Sequence, residues 1–297
     1  MTMSEAGGVS LHPWPTRIRA RSYRQFSADY SLDVPAESYG GWHSVDLDFD
    51  LDATALVVMH AWDCGGLENY PGWYRAVEYL PRSEQIAHDV FPPLLAGARA
   101  AGLTVFHVVG GPTDYYSHLS GYRRARSLIA ETPPVERISP SPTLAALRAF
   151  RAANVFPGAE NREDVERGRP ILTFLPTALP VGDEGVAESS DQLFALCRAE
   201  GIEHLVYVGF ALDGCLLLSP GGMVDLSRRG ILCSTIAEGV TSIENAETAR
   251  TEQAKAVALW RVALLFGFVF GLEEFLDGLN RYSVPAGGRA VAEGTGS

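Results

Sequence analysis

Ala55-Leu56-Val57-Val58-Met59 is an unbroken apolar run, the pattern of a strand buried on both faces, as in a parallel sheet covered by helices on each side. Similar runs lie at 103–109, 171–174, 204–209, 231–236 and 268–270. Between them, helices are expected at 92–101, 188–200, 215–228, 246–266 and 272–279. Pro92 and Pro93 suit the first turn of the helix that Gly102 closes. Alternating strands and helices predict an α/β protein with right-handed crossovers, whose ligands bind at the carboxyl ends of the strands.

Residues 51–285 read as one domain. An N-terminal arm or hairpin (1–50) precedes it and a Gly-rich tail (286–297) follows. Over 111–170 the pattern is lost apart from a short helix at 143–153, which marks a lid-like insertion. The chain has 24 basic and 36 acidic side chains, a formal charge of −12, and Lys occurs once, at Lys255. No basic stripe is available to track a phosphate backbone, so nucleic acid is not an expected partner. The apolar stretch 256–270 is interrupted by Arg261 and is too short to span a bilayer. With no secretory signal pattern at the N-terminus, a cytoplasmic protein is expected. Cys64, Cys197, Cys215 and Cys233 are too few and too scattered for a disulfide scaffold.

The strand-end rule selects 60–64, 110–118, 174–177 and 209–215. In the last, a strand runs through Gly209-Phe210-Ala211-Leu212-Asp213-Gly214 and delivers Cys215 to the start of a helix. Positive charge at a helix N-terminus favours the thiolate, and the N–H groups of the turn can hold an oxyanion. The plainer reading makes Cys215 a small residue at a tight strand–helix contact.

Gly209 to Cys215, followed by Arg228-Arg229-Gly230-Ile231 and Ala237-Glu238-Gly239-Val240-Thr241-Ser242, resembles the isochorismatase-like cysteine hydrolases, which include nicotinamidases and N-carbamoylsarcosine amidohydrolases. The segment 94–105 is similar to the family's first helix and second strand, and 55–59 to its first strand. The resemblance implies a Rossmann-like three-layer α/β/α fold with a mainly parallel six-stranded sheet, a homo-oligomer, and hydrolysis of a C–N bond in a small molecule without a cofactor. It also implies a thioacyl intermediate on Cys215 and a cis peptide between Phe210 and Ala211, with the N–H groups of Ala211 and Cys215 as the oxyanion hole.

Two family residues are missing. His60 stands where the family has an Asp after the first strand, and the region after the strand at 171–174 has no Lys. In one explanation His60 replaces both, taking the thiol proton and returning it to the leaving amine, with Asp63 orienting its ring. In a second, hydrolysis is lost and the pocket binds a ligand or serves assembly; in a third, His60 is a base for another reaction and Cys215 is structural. Trp62, Phe174, Tyr115 and His118 are candidates to line the substrate pocket. Cys64 is a packing residue, a second thiol, or a disulfide partner of Cys215. Asp114 and His118 have the spacing of a metal pair on a helix, but a loop context without a third ligand makes a polar lid the expectation and a metal site is not expected.

Overall fold

The computed structural model describes residues 16–110, 116–130 and 136–281. In chain order its elements are β1 (Thr16–Arg24), β2 (Gly41–Phe49), β3 (Thr54–Met59), β4 (Trp62–Asp63), α1 (Pro71–Ala76), α2 (Leu80–Asp89), α3 (Phe91–Ala101) and β5 (Thr104–Val108). The insertion contributes α4 (Ser120–Ser127), α5 (Pro142–Asn154) and α6 (Arg162–Gly168). Then follow β6 (Thr173–Phe174), β7 (Gly185–Ala187), α7 (Ser190–Glu200), β8 (His204–Gly209), α8 (Met223–Ser227), β9 (Leu232–Val240), α9 (Gln253–Leu265), β10 (Val269–Phe270) and α10 (Leu272–Asn280).

The main sheet has eight strands in the order β2-β1-β10-β9-β8-β3-β5-β7. The six from β10 to β7 are parallel, while β1 and β2 extend the β10 edge as an antiparallel hairpin. Period-two side-chain alternation divides the core into two layers. Ala55, Val57 and Met59 of β3 pack with Leu193 and Leu196 of α7, Leu226 of α8 and Val262 of α9. Leu56 and Val58 pack with Leu94 and Ala98 of α3 and with Phe275 and Leu279 of α10. Every β3 side chain is therefore buried, and the architecture is the expected three-layer α/β/α.

The assignment of strands differs in one place. The outermost parallel strand is β7, three residues long, while Thr173 and Phe174 leave the main sheet and pair with β4 in a separate ribbon. A three-residue strand starting with glycine is nearly invisible to periodicity. Gly185 is required by packing, because a Cβ there would sit 2.7 Å from Leu196 Cδ1 and 2.8 Å from Phe106 Cδ1.

Helices depart from expectation where loop chemistry intervenes. The stretch 215–228 is split into a π-helical turn, Leu212–Leu216, and α8, because Pro220 has no N–H to donate and Gly221 takes a positive φ of 83°. The helix expected from 246 begins at Gln253. The Asn245 side chain accepts from the N–H groups of Glu247 and Thr248, at 2.9 and 3.0 Å, and holds a turn there instead. Glu244 then caps α9, accepting from Ala254 N and Lys255 N at 3.1 and 3.0 Å. Among the described residues no helix is long and apolar enough to cross a membrane.

A partly buried ionic cluster fastens the β7 edge. Glu184 accepts from Arg99 Nε at 2.7 Å, Arg99 Nη2 at 2.9 Å, His107 Nε2 at 2.9 Å and Val181 N at 3.0 Å. Although burial opposes ionisation, these four donors hold the Glu184 carboxyl down at about 2. Truncating the acceptor strands a fully buried imidazole and removes the carboxylate partner of a half-buried guanidinium, so Glu184→Ala is expected to lower unfolding stability by about 3 kcal/mol and Glu184→Gln by less. Urea unfolding followed by circular dichroism measures both, and an alanine variant within 0.5 kcal/mol of the parent, a loss on the scale of an exposed pair, would contradict this account.

Candidate active site

The site lies where β3 and β8, adjacent parallel strands, end together. After Met59 the chain leaves the sheet through His60, whose φ of 53° is in the left-handed region. Its N–H donates to Val108 O and its carbonyl accepts from Trp62 N, both at 2.9 Å. This tight turn stacks the His60 and Trp62 rings, with centroids 4.3 Å apart and planes 15° apart.

On the neighbouring strand, Gly209 has a φ of 130° and lies so close to β3 that a Cβ would fall 1.9 Å from Met59 O. Only glycine fits there. Phe210 N donates to that same carbonyl at 3.2 Å, and the Phe210–Ala211 peptide is cis, as the resemblance implies. The π-helical turn that follows carries Cys215. Its start is pinned by Leu212 N to Thr241 O at 2.7 Å and by Ile243 N to the Asp213 carboxylate at 2.9 Å. The Ala211 N–H donates to no acceptor among the described residues. Cys215 thus sits in a short π-helical turn and not at the head of a long helix, so the backbone N–H groups of the turn, more than any macrodipole, are what it offers to developing charge.

His60, Trp62, Cys64 and Cys215 all face one cavity of about 410 Å³. Trp73, Val77, Tyr79 and Leu80 close it from the α1–α2 side, and Phe156, Val165, Arg169 and Leu172 from the insertion. His60 and Cys215 share this wall without a hydrogen bond between them, and His60 Nδ1 is buried with no partner among the described residues. Burial lowers His60 to about 4, so its ring is neutral at pH 7. Burial first, then the charges of Asp63 and Glu84, push the Cys64 thiol up to about 12, which keeps it protonated and leaves it a packing residue. All four cysteines are free.

Other expected site residues lie elsewhere. Asp63 does not orient His60, because its carboxylate accepts from Gly65 N at 2.8 Å. Phe174 is off the cavity, packed with Tyr116 and edge-on to His107 in a separate cluster beneath the insertion. His118 is solvent-exposed and does not line the cavity, and its carbonyl accepts from Arg123. Tyr115 and Asp114 fall outside the described residues. The residue after the third parallel strand is Glu188, again not Lys, and Lys255 is on α9 beside Glu252. Among the described residues no group of three or more His, Cys, Asp or Glu side chains could hold a metal ion. The α1–α2 and α6 walls were not legible as site elements, and a cluster of aromatics over 70–79 was the only sign of them in the sequence.

No protein-family model matches the sequence, and no curated protein does. Among solved structures, the chain is similar to a cysteine hydrolase from Pseudomonas syringae pv. phaseolicola 1448A, with TM-score 0.45 and 12% identity over 79% of this chain and 95% of that one. It is also similar to an isochorismatase family protein from Burkholderia thailandensis, with TM-score 0.45 and 13% identity over 77% and 96% of the two chains. A third is the N-carbamoylsarcosine amidase from Thermoplasma acidophilum, with TM-score 0.42 and 14% identity over 74% and 97%.

Because the folded state holds His60 below its ordinary 6.5, the unfolded chain binds the extra proton first, and stability falls as pH drops from 6.5 towards 4. His60→Gln is expected to flatten this fall by up to roughly 3 kcal/mol, at 1.36 kcal/mol per pH unit. Buried His204, also lowered to about 4, leaves part of the slope in place. Urea midpoints at pH 7.5, 5.5 and 4.5 make the comparison, and identical pH profiles for the two proteins would place His60 in water.

Proposed function

We propose that this protein is an isochorismatase-like hydrolase that cleaves an amide-type C–N bond in a small molecule. The observation that supports this best is the delivery of Cys215 and His60 from neighbouring parallel strands into one cavity. With His60 neutral, no thiolate–imidazolium pair stands ready, and the proton leaves Cys215 during attack. The sulfur bonds to the substrate carbonyl carbon while His60 takes its proton, and the N–H groups of Ala211 and Cys215 receive the oxyanion. As the C–N bond breaks, the imidazolium returns the proton to the amine. Water then attacks the thioester, giving its proton to His60, which passes it to the departing sulfur to restore the thiol and release the acid. Since His60 and Cys215 are not hydrogen-bonded, a side-chain rotation or a bridging water must complete the path.

A cytoplasmic setting agrees with four free thiols. A homo-oligomer is part of the same reading. Helix α5 buries none of its residues and leaves Leu147 and Phe150 exposed, an apolar stripe available for assembly. The second reading, a ligand-binding protein without turnover, is favoured by one observation: His60 is stacked on Trp62 and depressed by burial, which makes it a weak base.

Alkylation by iodoacetamide, read cysteine by cysteine by mass spectrometry from pH 5 to 9.5, separates the two readings. Hydrolysis predicts that Cys215 reacts at least tenfold faster than Cys64 at pH 7.5 and that His60→Ala slows it by a further tenfold or more, within the usual range of general-base assistance. Equal labelling of Cys215 in the parent and in His60→Ala favours the binding protein.

A further inference from the structure

The cavity's chemistry is lopsided. Trp73, Val77, Leu80, Phe156, Val165 and Leu172 give it hydrocarbon walls, and the Ser83 hydroxyl is spent on Leu80 O at 2.8 Å. No Asp or Glu among the described residues lines it, in a chain whose formal charge is −12. Among the described lining residues the one formal charge is Arg169, in the short turn that follows α6. Arg169 is exposed and has no ion pair among the described residues. Two residues away, by contrast, Arg167 is committed to Asp164 at 2.9 Å and to Asn69 O at 2.6 Å.

We infer that the cavity selects an amphiphilic carboxylate: an aromatic or bulky apolar body held by the six walls, with a carboxylate on the Arg169 guanidinium at the rim. A guanidinium is matched to a carboxylate by its paired N–H donors. An ammonium-bearing molecule finds no counter-charge on these walls, and a neutral one forgoes the charge-assisted bond. The volume, about 410 Å³, is in the range of cavities that enclose a bicyclic ligand. This assignment deepens the hydrolase reading by naming its substrate class, and it rests on that reading only in placing the scissile carbonyl at Cys215.

Isothermal titration of the full chain carrying Cys215→Ala tests the binding without any turnover. The probes are 2-naphthoate, 2-naphthamide and 2-naphthylmethylammonium. Naphthoate is expected to bind about tenfold more tightly than naphthamide, with the ammonium weakest. Raising the salt from 50 to 500 mM should narrow that preference, because Arg169 is exposed. Arg169→Gln should abolish the preference while leaving the naphthamide Kd within twofold, and Phe156→Ala should weaken all three probes. Equal affinities in the Cys215→Ala protein, a preference that survives Arg169→Gln, or no binding of any probe up to its solubility limit would overturn the inference. Because the titration uses a protein without the thiol, its failure would leave the alkylation result standing, and an inert Cys215 would leave the titration standing.

Discussion

The contact on which the site depends is the approach of Gly209 to the carbonyl of Met59. A side chain there would overlap that oxygen outright, at 1.9 Å, so glycine lets the ends of β3 and β8 run side by side without a gap. Met59 O then accepts from Phe210 N, and the two chains leave the sheet from the same height. One carries His60 and the other the turn with Cys215. Substituting Gly209 would push the strands apart at the one place where the site requires them together. The sheet's parallel order thus becomes a chemical arrangement through a single missing methyl group.

How much of this could be read from the residues alone varied with the length and burial of each element. β3 and β8 are continuous apolar runs because both of their faces are covered, and they declared themselves. So did α3, through its paired prolines and Gly102. β7 stayed hidden because three residues cannot show a period and because Gly185 is there for the fit against Leu196 and Phe106, a tertiary reason. Thr173 and Phe174 were drawn into the main sheet on composition, whereas their partner is β4, a pairing fixed by where the chain turns after His60. His60 and Cys215 are singled out by position at strand ends, and the topology explains why both face one cavity: β3 and β8 are neighbours in the sheet. Asp63 failed as an orienter for a local reason, since a carboxylate two residues before a free backbone N–H closes its own turn with Gly65.

Electrostatics ties His60 to the walls around it. A carboxylate and an ammonium beside a thiol form a set of charges that needs water or polar neighbours to be tolerated. Here the corresponding surroundings are Trp62, Trp73, Phe210 and Leu172, where an unpaired charge costs several kcal/mol. A neutral imidazole at the end of β3 is compatible with that environment. The depressed His60 and the apolar cavity are consequently one fact seen from two sides.

A carboxylate at position 60 meets the same constraint. His60→Asp would place a carboxylate against the face of Trp62, with no cation among the described lining residues except Arg169. Desolvation would raise that carboxyl's pKa and keep it largely neutral. Adding a lysine at Glu188 would not repair this unless its ammonium reached the cavity, and Glu188 does not line it. Among the described residues the architecture therefore keeps resting charge low on the strand-end side of the cavity and places one exposed cation on its wall.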